Sequence, residues 1–72
     1  MQETVDARGL SCPQPVLDTL AMIVKMGKGE LLVMVDTEAS KENVSRAVQA
    51  KGWQVKKVDE RGDEYHLTII KS

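Results

Sequence analysis

The chain has 72 residues, which places it as a single small domain spanning residues 1–72; at that size folding hides only about 60–65% of the unfolded surface and leaves no room for a large cofactor pocket. Hydrophobic residues make up 42% and charged residues 29%, a globular balance that excludes a disordered or low-complexity chain. A formal net charge of -1 argues against a primary nucleic-acid binder, so no direct nucleic-acid contact is expected, and no apolar run approaches the length of a membrane span.

The elements follow in order. Glu3 to Ala7 reads as a short strand with Val5 and Ala7 on one face, and "RGLSC" follows as a loop that bends at Gly9. From Pro13 to Met26 the apolar residues Val16, Leu17, Leu20, Ala21, Ile23 and Val24 have the three-four-seven spacing of one helical face. Gly27 ends that helix, and Lys25 and Lys28 suit the negative end of its dipole. "ELLVMVD", Glu30 to Asp36, is apolar on both faces, which predicts a strand in the middle of its sheet. A second helix is expected from Ser40 to Lys51, with Ser40 as N-cap, Glu42 in the first turn, a stripe of Val44, Ala47 and Val48, and Gly52 as the stop. "WQVKKVDE" is a strand whose alternation breaks near Lys56-Lys57, as at a bulge, and "EYHLTII" alternates with Tyr65, Leu67 and Ile69 on one face. "DERGDE" between them reads as a hairpin loop.

Two amphipathic helices each need a sheet to lie on. The β-α-β-α-β-β order therefore predicts an α/β two-layer sandwich, a four-stranded mixed sheet with both helices on one face. Leu32, Met34, His66 and Ile70 would point to the uncovered face. Of these, Leu32, Met34 and Ile70 form a candidate partner surface, compatible with a monomer or a weak dimer. Met22, Met26 and Met34 are adaptable contact residues, although Met22 at helical spacing reads first as core. Trp53 reads as a core anchor and His66 as a surface strand residue.

The chemistry concentrates at Cys12, the only cysteine, followed by Pro13-Gln14-Pro15. A lone thiol excludes an intramolecular disulfide, a C-x-x-C redox pair and any multi-cysteine metal site; no metal and no cofactor are expected. With Cys12 as N-cap, Pro13 takes N1 and Pro15 N3, where a missing backbone N–H costs little. The tandem prolines then start a helix and stiffen the turn that presents the thiol. Free first-turn amides and the helix dipole favour an anion there, so a lowered thiol pKa is expected. The competing reading of a free cysteine is a small buried hydrophobe. A thiol with no resolving partner and no local base suits a group carrier. Asp6 and Arg8 read either as a loop-stabilising ion pair or as direct participants, Gly9 as a loop hinge, and Gln14 as an exposed first-turn residue.

At these residues the chain resembles the TusA/SirA-like sulfur-carrier family. "DARGLSCPQPV", Asp6 to Val16, contains every element of the family's R-G-L-x-C-P-x-P motif. The likeness extends over essentially the whole chain, and "VDTEASKENVSRAVQAKGWQV" looks most like the YedF-type branch, linked to selenium or sulfur metabolism. The resemblance implies a two-layer α/β sandwich and sulfurtransferase chemistry in which Cys12 carries sulfur as a persulfide. It implies a sulfur donor (a cysteine desulfurase, a rhodanese-like protein or thiosulfate) and a downstream acceptor protein. The resemblance to small YeeD-like relatives implies work beside a membrane thiosulfate importer. They suggest the alternative of a non-catalytic partner or regulatory module of such a transporter, or a selenium-metabolism protein. The expected location is the cytoplasm, at the inner membrane face if a transporter is the partner.

Overall fold

The computed structural model describes residues 3–10 and 13–71. Its elements are β1 (Glu3–Asp6), α1 (Gln14–Met26), β2 (Gly29–Val35), α2 (Glu38–Ala50), β3 (Gln54–Arg61) and β4 (Glu64–Lys71). The sheet order is β1-β2-β4-β3. β1 pairs parallel with β2, and the other two pairings are antiparallel, so the sheet is mixed and both helices pack on one face, as expected.

β2 is central, as its two apolar faces require. Leu31, Val33 and Val35 are fully buried toward the helices together with Leu67 and Ile69 of β4. Val5 and Ala7 from β1 and its exit, Val44 and Val48 from α2, Ile23 from α1 and Trp53 complete the core. Each fully buried aliphatic side chain contributes about 1.5–3 kcal/mol by leaving water. Met22 packs against this core, as its helical spacing suggested.

The face of α1 differs from the expected stripe. Leu17 and Val24 are 52% and 77% exposed, and Ala21 is also exposed. The buried residues are Pro15, Thr19 and Ile23, with Val16, Leu20, Met22 and Met26 packed partly against the core. Thr19 was invisible to an apolar count because its polarity is satisfied locally: its hydroxyl donates to the Pro15 carbonyl at 2.8 Å. That bond lets a threonine occupy the core-facing turn at little cost, and the whole stripe rotates around the helix accordingly.

The N-cap of α2 is Thr37, where Ser40 was expected. Thr37 is extended and its Oγ1 accepts the Ser40 N–H at 3.0 Å. Ser40 is thus the N3 residue and is buried. Such a cap contributes about 1 kcal/mol. β3 and β4 also run further than expected. Arg61 pairs with Glu64, so only Gly62 and Asp63 turn the chain. Gly62 has φ +64 and Asp63 has no positive φ, a pattern that suits a two-residue hairpin turn led by glycine. The anticipated bulge is present: the β3–β4 register shifts between Val55 and Lys57.

Candidate functional site

Parallel pairing sends the C-terminal ends of β1 and β2 to the same edge of the sheet, and β4 begins there. The loop after β1 is tied down at that edge. The Ala7 N–H donates to the Met34 carbonyl at 2.8 Å, continuing the β1–β2 ladder by one residue. Arg8 then turns back on Asp6: Nε donates to Oδ1 and Nη2 to Oδ2, both at 2.9 Å, and the Arg8 backbone N–H reaches Oδ1 at 3.2 Å. Nη1 of the same guanidinium spans to Glu64 of β4, at 3.3 and 3.4 Å from its two carboxylate oxygens. His66 Nε2 lies 3.2 Å from Glu64 Oε1. Gly9 adopts φ +79, a backbone conformation that glycine reaches without strain, and its N–H donates to Asp36 Oδ2 at 2.7 Å.

These contacts set the ionisation of the cluster. Hydrogen bonds from the Arg8 side chain and then its backbone hold the Asp6 carboxyl down from the ordinary 3.8 to about 2. Asp6 in turn pushes Arg8 upward. Glu64 is lowered by its hydrogen bond to His66 foremost, with Arg8 adding to the effect against the opposing cost of burial. A carboxyl with a depressed folded-state pKa stabilises the fold fully above its unfolded pKa, and that stabilisation disappears as pH falls through the folded value. Asp6 is exposed and Glu64 partly so, and solvent screening keeps the contribution modest. The expected result is that acid unfolding, followed by circular dichroism between pH 4 and pH 2, is less steep for Asp6→Asn than for the wild type. Equal slopes would contradict the Asp6–Arg8 assignment.

Beyond the loop, α1 opens at Pro13. Its carbonyl accepts the Leu17 N–H at 3.0 Å, the first bond of the helical ladder, so Pro13 is the N-cap, Gln14 N1 and Pro15 N2. The expected frame, with Cys12 as cap and Pro15 at N3, is one residue early. The cause is that proline is equally harmless at N1, N2 and N3, so the pair of prolines marks the first turn without fixing its register. In this register the first-turn amides of Gln14 and Val16 have no intrahelical acceptor, and Pro15 has no N–H. Among the described residues no side chain caps this helix. Gln14 is exposed and turns along the helix, donating from Nε2 to Asp18 Oδ1 at 2.6 Å. Cys12, the sequence's candidate nucleophile, directly precedes Pro13 in the chain and lies outside the described residues. An open, mostly apolar groove of about 360 Å3 starts at Pro13 and runs between the helices along Val16, Ala47 and Ala50, with Asn43 and Arg46 on its α2 side.

The structure brings Asp6, Arg8 and Gly9 together in one hydrogen-bonded turn and sets Pro13 and Pro15 at the helix opening. Leu32, Met34 and Ile70 lie on the open sheet face, half-buried, beside His66 and Thr68. Asp36 and Glu64 were missed. One signal was available for Asp36: it closes a strand that runs parallel to β1, so it ends at the edge where the motif loop begins. Among the described residues no three His, Cys, Asp or Glu side chains form a group that could hold a metal, and no helix is long and apolar enough to cross a membrane.

The four-stranded mixed sheet backed by two helices is the fold of the TusA/SirA-like class of small domains. The chain belongs to the family described as Sulfurtransferase TusA, which matches residues 3–71. It is 36% identical over 70 residues to a candidate sulfur carrier protein of Thermotoga maritima, covering 96% of this chain and 89% of that protein. It is 33% identical over 70 residues to another from Archaeoglobus fulgidus, covering 96% and 80%. A longer uncharacterised protein of Methanocaldococcus jannaschii is 26% identical over 69 residues, and the match spans only 25% of its length. The crystal structure of a SirA-like protein from Desulfitobacterium hafniense superimposes with a TM-score of 0.88 at 27% identity, covering 100% of this chain and 99% of that one.

Proposed function

We propose that this domain is a sulfur carrier that accepts sulfane sulfur on Cys12 and passes it to a partner. The single observation that carries this reading is the lone cysteine immediately ahead of a proline-opened helix within the R-G-L-x-C-P-x-P motif. Membership of the TusA family supports it. The Cys12 thiolate attacks the outer sulfur of a donor persulfide; the donor S–S bond breaks, a new S–S bond forms on Cys12, and the donor leaves as a thiolate. With thiosulfate the same attack expels sulfite. An acceptor thiolate then takes the outer sulfur and restores the Cys12 thiolate. The first-turn amides and helix dipole lower the energy of an anion ahead of α1, and a bound persulfide is such an anion. The transfer is sulfurtransferase chemistry shared between this chain and its partners, with a cysteine desulfurase, a rhodanese-like protein or thiosulfate as donor. The test is cyanolysis after exposure to thiosulfate, or to a cysteine desulfurase with cysteine. Thiocyanate released from the re-isolated wild type supports the reading; none from either donor removes it.

A second reading rests on the open sheet face, where Leu32, Met34 and Ile70 form a half-buried apolar strip that no helix covers. It makes the domain a docking module, as for a membrane thiosulfate importer. Leu32→Lys is the discriminating variant. Under the carrier reading it still loads sulfur from thiosulfate at the wild-type rate. If docking is the whole function, it loses partner binding while Cys12→Ser keeps it.

A further inference from the structure

We infer that the free edge of β1 and the adjoining flank of α1 form an interface for a second copy of this chain, joining two four-stranded sheets edge to edge. The inference is independent of the sulfur-carrier reading and uses none of its chemistry. It starts from the two edges of the sheet, β1 and β3, which differ. An open edge offers unpaired N–H and C=O groups to any passing strand, and proteins blunt it with lysines, prolines and bulges. β3 carries Lys56, Lys57 and the register shift between Val55 and Lys57. β1 pairs in unbroken register from Glu3 to Asp6 and has no lysine, proline or bulge. The Ala7 N–H points to β2, where it donates to the Met34 carbonyl. Alternation along the strand therefore turns the N–H and C=O groups of Thr4 and Asp6 to the free edge. Among the described residues no neighbouring strand and no backbone group pairs with them.

The helix beside that edge is self-complementary. α1 packs on β1 and β2, and its flank toward the edge presents Asp18, Ala21, Met22 and Lys25, the three-four-seven spacing of a helical contact stripe. With Thr4 and Val5 these residues line a mostly apolar hollow of about 290 Å3. The stripe reads acid, small apolar, large apolar, base. Turned end for end by a two-fold axis, it sets Asp18 against the partner's Lys25 and Ala21 against the partner's Met22, each contact made twice. The charges are available for this. Lys25 is exposed and makes no ion pair among the described residues. Asp18 accepts from Gln14 on Oδ1 and keeps Oδ2 for a partner.

One axis serves both elements. Antiparallel pairing centred on Val5 places Thr4 opposite the partner's Asp6 and Asp6 opposite the partner's Thr4. Those are the residues whose backbone groups face the edge, and each such pair exchanges two hydrogen bonds. With strands about 4.8 Å apart and α1 lying over the β1–β2 pair, the two copies of α1 come roughly 10 Å apart, a normal packing distance for helices. The contact is small, so the association belongs to the weak, reversible class.

Sedimentation equilibrium of the whole chain, from about 10 µM to about 1 mM, tests the inference on the wild type, Asp18→Lys, Lys25→Asp and the double variant. Thermal unfolding is recorded for each. The wild type is expected to move from 8.0 kDa toward twice that mass across the range. Each single reversal opposes like charges at both symmetry-related contacts and is expected to weaken association by about tenfold or more. The double variant restores both opposite-charge contacts and is expected to associate like the wild type. An equal mixture of the two single variants is expected to recover as well, because one then carries two bases on the stripe and the other two acids. Thr4→Pro removes an edge N–H that the β1–β2 ladder does not use and is expected to abolish association; the charge-reversal series does not depend on its folding. A wild type that stays monomeric throughout, single reversals that associate as tightly as the wild type, or a mixture that fails to recover would overturn the inference. So would a dimer that is lost in Leu32→Lys but kept in the single reversals, which would place the contact on the open sheet face.

Discussion

Leu67→Ala is expected to cost about 2–5 kcal/mol and to lower the urea midpoint by about 2 M or more, taking a slope of roughly 1 kcal/mol per molar for so small a domain. Leu67 is fully buried on β4, a central strand, between Val33 of β2 and Val58 of β3. Truncation there opens a cavity that two hydrogen-bonded neighbours prevent from collapsing. The whole fold is worth roughly 4–10 kcal/mol at this length, so the loss takes a large fraction of it. Val24→Ser is the control. Val24 has the same apolar character but is 77% exposed on α1, and its change is expected to stay within about 0.5 kcal/mol. Comparable losses for the two variants would contradict the assigned face of α1.

Cys12→Ala is the second large effect, on function and not on folding. It removes the only sulfur nucleophile in the chain. Methionine thioethers cannot form a persulfide, and no second cysteine can substitute. Sulfur loading is therefore expected to fall to the background of the reagents for every donor. The substitution leaves every core residue named above unchanged, and the thermal unfolding midpoint is expected to stay close to that of the wild type. Cys12→Ser is expected to behave alike, since a hydroxyl does not hold sulfane sulfur. Residual loading in either variant, measured by cyanolysis, would move the chemistry away from Cys12.

The architecture was legible because its signals are strong and local. The two-sided apolar run Leu31–Val35 marked a central strand, the alternation at Tyr65, Leu67 and Ile69 gave the inward face of β4, and the stumble at Lys56-Lys57 marked the bulge. The rotation of α1 was not legible. An apolar count scores Leu17 and Val24 above Thr19, yet Thr19 spends its hydroxyl on the Pro15 carbonyl and is buried. The Thr37 cap was missed for a related reason, because Thr37 and Ser40 are both good capping residues and only the backbone path decides between them. The candidate site divides in the same way. Its motif is contiguous from Asp6 to Val16 and was read directly. The acids that grip it, Asp36 just past the end of β2 and Glu64 at the start of β4, are brought to the motif by parallel pairing and the β4 crossover. No linear spacing encodes that meeting.

Intact-protein mass spectrometry tests the central claim most directly. The wild type and Cys12→Ala are each exposed to thiosulfate and, separately, to a cysteine desulfurase with cysteine, and each is weighed before and after a thiol reductant. The account expects one added sulfur atom on the wild type with at least one donor, absent from Cys12→Ala and removed by the reductant. A wild type whose mass is unchanged by both donors, or an adduct that persists in Cys12→Ala, would contradict it.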